Sequence, residues 1–416
     1  MNNDRVVIVG GGVVGLSAAY HCLRAGHAVR VLEKGGAGDS NCSTGNAGMV
    51  VPSHFVPLAA PGMITKGLRW MFNRESPFCV RLRPSAALLR WGWLFYRHAN
   101  SAHVARCREL LRDLNLESRR MFTELAAEED FGLEQRGLLM LCRTAKALAE
   151  EGELAAAAGE IGLEARVLDR RGVAELDPDV TMDVEGAVYF PQDCHLDPDR
   201  FLAMLRRRVI AMGGELTGSA EVHGFDLADG RVTAVRAGEP SHEGRHFVVA
   251  GGVWSPALLR QVGMRLPMQA GKGYSLTLPE PVELPRLCSI FTEAKVAVTP
   301  IGGGLRFAGT MEVGADDLRI DRARVRGIVN SVADYFPRFK RDDFTGIEPW
   351  VGLRPVSPDG LPYIGTVPGL DNLVVATGHA MMGLSLGPVS GRLVAELVDG
   401  QEPFLPIGQL APARFG

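Results

Sequence analysis

Arg354 stands in WVGLRPVSPDG, Trp350 to Gly360, among apolar residues, glycines and prolines near the end of the chain. Arginine is rarely buried without a partner. The prolines and glycines predict a stiff, irregular backbone rather than a helix. The residue is therefore either a solvated arginine on a surface turn or a fixed cation waiting for an anion. Near the other end, Gly10, Gly12 and Gly15 form G-x-G-x-x-G, followed by the acid Glu33. In such a motif the first glycine permits a tight turn, the second lets a pyrophosphate reach the backbone, and the third lets helix and strand pack closely. The helix N-terminus offers free N–H groups to phosphate oxygens. Glu33 suits ribose hydroxyls and disfavours a 2′-phosphate, and with it NADP. The motif alone does not separate FAD from NAD.

These residues need elements to hold them. Val6 to Val9 is an all-apolar run, as a buried parallel strand requires. Val14 to Ala25 reads as a helix with Gly26 at its C-terminal cap, and Ala28 to Leu32 as a second strand. Further strand and helix signals follow at His195–Leu216, Arg245–Pro256 and Asn372–Val398. Residues 100–160 are helix-rich and charged, while KGYSLTL and AVTPIGGGLRFAGTMEV read as antiparallel strands. The expected fold is α/β: a Rossmann-like nucleotide domain with an inserted α+β domain carrying an antiparallel sheet. Residues 1–53, 194–258 and 344–416 are assigned to the first, and 54–193 and 259–343 to the second.

The composition narrows the function. A chain of 416 residues is too long for one small core. A formal net charge of -3 gives no support to nucleic-acid binding. Seven scattered cysteines, without CxxC or a Cys/His cluster, argue against a disulfide framework or a metal site and fit a reducing, cytoplasmic compartment. The glycine triplet and Glu33 favour a strand–turn–helix over a signal peptide at the N-terminus. The aromatic stretch SAALLRWGWLFYRHA, Ser85 to Ala99, is too short to span a bilayer and is interrupted by Arg90. It reads as a core helix of the second lobe, or as a peripheral contact with the inner face of a membrane.

Four motifs fall in one order: VVIVGGGVVGLSAAYHCLRAGHAVRVLEK, STGNAGMV, VVAGGVWSP and VGLRPVSPDGLPYIG…ATGHAMMGLSLGP. Together they resemble the D-amino-acid oxidase superfamily of flavoproteins, and most of all its bacterial D-amino-acid dehydrogenases. The resemblance implies FAD, amine oxidation and a two-lobed fold. It places Gly10, Gly12, Gly15 and Glu33 at the FAD pyrophosphate and ribose, with Lys34 beside them. It places Ser43, Thr44, Asn46, Ala47 and Gly48 along the pyrophosphate toward the flavin, Val222 at the adenine, and Gly251 and Trp254 in the turn after the middle strand. Gly383, Leu384 and Ser385 fall at a helix start facing the flavin pyrimidine. Arg354 falls on the arginine that clamps a substrate carboxylate, and Tyr274 on a phenol beside it. His54 and His379 lie in loops next to FAD motifs and are candidates to touch substrate. The family's covalent flavin cysteine has no match here, since Cys288 sits in a different context, so FAD is expected to be non-covalent. The implied reaction is oxidative deamination of a D-amino acid, with a quinone or electron-transfer chain as acceptor. A D-proline or 4-hydroxy-D-proline dehydrogenase, a glycine or sarcosine oxidase, and an FAD-carrying electron-transfer subunit share the template.

Overall fold

In the computed structural model the described residues are 5–36, 41–71, 73–81, 85–315 and 317–416. The N-terminal unit folds as its pattern requires: strand Arg5–Val9, helix Val13–Arg24, strand Ala28–Leu32. Arg5–Val9 is central in a sheet of six described strands, with Ala28–Leu32 and then Glu215–Thr217 parallel on one side. His246–Val249 and Leu370–Thr377 lie parallel on the other side, and Tyr363–Val367 closes that edge antiparallel. Side chains of a strand alternate between faces, and here both faces are buried. Val6 and Ile8 pack with Leu16, Leu205 and Val394 of three covering helices. Val7 and Val9 pack with Phe225, Val232 and Val235 of a small meander, Gly224–Ala228 with Arg231–Arg236 and His242–Glu243. That two-sided burial explains the unbroken apolar run.

The second sheet has nine described strands. Its centre is antiparallel: Gln269–Leu278 lies between Trp350–Val356 and Gly304–Val313, and Val296–Ile301 follows. The period-2 pattern divides its faces. Leu139, Leu141, Phe291, Val298, Phe307 and Leu276 pack under helix Arg322–Tyr335 through Ile328, Val332 and Tyr335. Their neighbours Met140, Ile290, Ala297 and Ala308 point the other way, into a cavity between the sheets.

One boundary differs from the sequence reading. Trp350–Val356, assigned to the nucleotide domain by the limit at 344, hydrogen-bonds in the larger sheet. The chain crosses to the nucleotide sheet only at Tyr363. Alternation in sequence marks a strand but not the sheet it joins.

Candidate active site

The cavity measures about 970 Å³ and runs from Glu33 and Val222 at one end, past Gly10 and Gly12, to Arg354 and Thr310. Its first end is built by backbone geometry. Gly10 has φ +110°, and a Cβ there would lie 2.5 Å from the Ala250 carbonyl oxygen. A Cβ on Gly15 would lie 1.9 Å from the Gly10 oxygen, so Gly15 serves the close packing of helix on strand and is not part of the cavity wall. Gly12 caps helix Val13–Arg24 without a side-chain cap, and the first turn carries no acid. The Val13 N–H donates to Ser43 Oγ at 3.1 Å. The Glu33 carboxylate is aimed by the N–H groups of Gly11 and Gly35. Lys34 pairs with Glu221 at 2.9 Å and lies 5.2 Å from the centre of the Trp254 ring. An uncapped helix start, a glycine turn and an oriented acid fit the pyrophosphate and ribose of a dinucleotide.

The middle of the cavity joins Asn46, Ala47, Gly251, Gly383, Leu384 and Ser385. The last three lie in the turn before the final helix, which begins at Gly387, slightly later than the sequence suggests. Ser385 Oγ donates to Asn115 Oδ1 at 2.7 Å and accepts from the Val51 N–H at 3.1 Å. Helix Ser101–Glu128 thus braces this turn from the inserted region. Thr44 and Gly48 are not on the cavity wall. Thr44 gives its carbonyl to Arg306, and Gly48, at φ +77°, packs so that a Cβ would meet the Leu196 oxygen at 2.3 Å. Both shape the loop from behind.

Arg354 sits at the far end, in strand Trp350–Val356, paired with Gly271 and diagonal to Gly273 on the same face. A Cβ on Gly273 would lie 2.0 Å from Arg354 Nη1, so only glycine leaves the guanidinium its place. Nη1 donates to the Thr310 carbonyl at 2.7 Å. Thr310 has φ +68°, unusual for a β-branched residue, at a register shift that re-aims its carbonyl. Among the described residues no carboxylate pairs with Arg354, and burial lowers its pKa. A cation in a largely apolar cavity is stabilised by an anion bound beside it.

Tyr274 requires a correction. Its side chain is fully buried on the helix-covered face, with the hydroxyl donating to Glu312 and accepting from the Asp321 N–H. Adjacent strand residues point to opposite faces, and since Gly273 faces Arg354, Tyr274 cannot. His54 and His379 both line the cavity. The His379 ring shares a hydrogen bond with Ser390 Oγ at 2.9 Å, and burial lowers its pKa to about 3. Burial and Lys295 lower that of His54 to about 4. Cys288 is buried against the Gly137 carbonyl and is not on the cavity wall. Sequence reasoning missed Lys295, Asn115 and Asp193. The first lines the cavity, and the other two support it from behind. They come from regions whose pattern carries no motif.

A mostly parallel nucleotide sheet, a mostly antiparallel sheet and a cavity shared between them make a two-lobed dinucleotide-binding fold. The chain belongs to the FAD dependent oxidoreductase (DAO) family, whose match covers residues 5–397. It is similar to a D-amino acid dehydrogenase of Granulibacter bethesdensis, 33% identical over 420 residues and 99% of each chain. It is also similar to one of Methylobacterium nodulans, 34% identical over 427 residues and 99% of each chain. Among solved structures, glycine oxidase from Geobacillus kaustophilus superposes with a TM-score of 0.79 and 25% identity, over 99% of this chain and all of that one. The cofactor is therefore FAD, and the glycine turn, Glu33 and the uncapped helix fit it. The protein is an enzyme of FAD-dependent amine oxidation. No helix among the described residues is long and apolar enough to cross a membrane.

Proposed function

We propose that the protein deaminates D-amino acids oxidatively, giving 2-oxo acids and ammonia, and delivers the electrons to a quinone-type acceptor. The carrying observation is Arg354, a half-buried guanidinium on the wall of the shared cavity, with no carboxylate partner among the described residues. Bound FAD, held non-covalently, supplies an oxidant that takes the Cα hydrogen with its electron pair. The chain's residues do the rest. Arg354 grips the substrate carboxylate with two parallel hydrogen bonds, which fixes Cα in place. The Thr310 carbonyl orients that guanidinium. Met140, Ile290, Ala297 and Met382 supply an apolar wall for the side chain. No base on carbon is needed. The imino acid released is hydrolysed by water.

The relatives' name supports the D-amino acid and the dehydrogenase reading. A membrane contact also suits a quinone acceptor. Helix Ala86–His98 exposes Leu89, Trp93 and Tyr96, with Arg97 stacked on Trp93 at 4.9 Å. Aromatic and basic side chains on one exposed face suit a lipid headgroup boundary. The test is product analysis. The purified enzyme, given D-alanine, D-proline or a larger D-amino acid and a redox dye, should form 2-oxo acid and ammonia in equal amounts, or a cyclic imine from D-proline. Dye reduction only by amines lacking a carboxylate contradicts the reading.

A further inference from the structure

Beside the cavity lies a hydrogen-bonded chain that no motif announces. The short antiparallel pair of Met49–Val50 with Cys194–His195 brings Ser53 against Asp193. The Ser53 N–H donates to Asp193 Oδ1 at 3.0 Å, and its hydroxyl donates to Oδ2. The same hydroxyl oxygen lies 3.1 Å from His54 Nδ1. Asp193 is fully buried, whereas the His54 ring lines the cavity. Among the described residues, Nε2 of that ring has no protein partner.

Counting protons fixes the polarity of this chain. Burial raises the pKa of Asp193 to about 7; above that pH it is a carboxylate, which only accepts, so the single Ser53 hydroxyl proton is committed to it. The Ser53 oxygen then has only lone pairs left for the histidine, and Nδ1 must carry the imidazole proton. Nε2 is left as a bare acceptor on the cavity side. The ring stays neutral, because burial and the charge of Lys295 both oppose a second proton.

We propose that His54 Nε2 accepts a hydrogen bond from an N–H of the substrate amine, with Ser53 and Asp193 as positioning residues that hold the required tautomer. The proposal rests on the amine-oxidation reading above and adds the group that recognises nitrogen. During oxidation the Cα–H bond breaks and its electron pair leaves with the hydrogen for FAD. The nitrogen lone pair becomes the second bond of C=N, and the iminium nitrogen keeps its protons until hydrolysis. Positive charge therefore develops on nitrogen while its lone pair is used. An acceptor on N–H stabilises that charge and leaves the lone pair free. The opposite tautomer would donate Nε2–H to the lone pair and hold it back. The substrate class follows: amines that enter neutral and keep at least one N–H, primary or secondary but not tertiary.

Two measurements on the holoenzyme test this. The first is ¹⁵N NMR of histidine-labelled protein at pH 8.5, with His54→Leu to assign the signal. The His54 resonances should show a protonated Nδ1 and a bare Nε2, and Asp193→Asn or Ser53→Ala should disturb that state. A protonated Nε2 in the wild type overturns the proposal. The second is anaerobic stopped-flow reduction of the flavin by a primary amino acid and its N-methyl and N,N-dimethyl derivatives. We expect the wild type to accept the first two, and His54→Leu to reduce about 100-fold more slowly with both. The N,N-dimethyl compound should be poor for both proteins and should show little further loss in the variant. Asp193→Asn should slow reduction about 10-fold, while the affinity for a simple carboxylate inhibitor and the Tm at pH 8.5 are not lowered. A merely structural carboxylate would lower Tm and FAD content together, and that result in both Asp193→Asn and Ser53→Ala overturns the proposal. Wild-type rates in the variants overturn it alone. A wild-type flavin that no amine reduces overturns the amine reading and this proposal with it.

Discussion

Arg354 carries its charge where the surroundings oppose it. Burial lowers its pKa, and among the described residues its one side-chain hydrogen bond goes to a neutral carbonyl. Such a site is more comfortable with an anion bound than without one. Arg354→Lys keeps the charge but removes the planar fork, so the second hydrogen bond and the fixed Cα are both lost. We expect a loss of about 2–4 kcal/mol in transition-state binding, or about 30- to 1000-fold in kcat/KM. FAD content and Tm should stay near wild type, because the proposed partner of Arg354 is the substrate and not the fold. An amine without a carboxylate should be poor for the wild type and show little further loss in the variant. A fully active variant, or one that loses FAD, assigns Arg354 another role.

At the scale of elements, the site depends on register. Arg354 pairs with Gly271 on the neighbouring antiparallel strand, Gly273 lies diagonally from it on the same face, and the missing side chain of Gly273 makes room for the guanidinium. Gly273→Ala sets a methyl group against Nη1, and the β-sheet cannot shift one residue without turning every side chain to the other face. The expected result is a 10- to 100-fold fall in kcat/KM, about 1.4–2.7 kcal/mol, with FAD binding retained. Steady-state kinetics with flavin absorbance check it, and unchanged kinetics mean that Arg354 is free to move. The same alternation explains what was legible in sequence. The βαβ unit was readable because Val6–Val9, the glycines and Glu33 lie within one local stretch whose spacing carries the chemistry. Glycine and proline around Arg354 are a local anomaly that singled it out but left a surface turn open; the family resemblance, not the local pattern, pointed it to the cavity whose wall it lines. Tyr274 was misplaced because motif similarity fixes position along a strand but not the face it presents. Asp193 escaped because its meeting with Ser53 depends on two segments far apart in sequence. Thr44 and Gly48 belong to the right loop, yet their work is to hold the backbone from outside.

At the scale of the molecule, the two sheets divide the labour. The nucleotide sheet carries the glycine turn and helix N-terminus that fit a dinucleotide, and the larger sheet carries Arg354 and most of the apolar wall. The helix Ala86–His98 lies outside this division, with Leu89, Trp93 and Tyr96 exposed. If it places the enzyme beside a membrane quinone pool, a quinone analogue should reoxidise the reduced enzyme faster than oxygen does. Trp93→Gln should weaken binding to anionic lipid vesicles without changing dye-linked turnover. Stoichiometric hydrogen peroxide at full turnover rate in air contradicts the acceptor assignment. The most direct test of the central claim is an anaerobic titration of the purified holoenzyme with matched D- and L-amino acids, glycine, sarcosine and D-proline, following the flavin absorbance. The account predicts full bleaching by a D-amino acid, slower or no bleaching by its L-enantiomer, and no bleaching by the corresponding decarboxylated amine. Bleaching by the decarboxylated amine as fast as by the amino acid, or by none of these compounds, contradicts it.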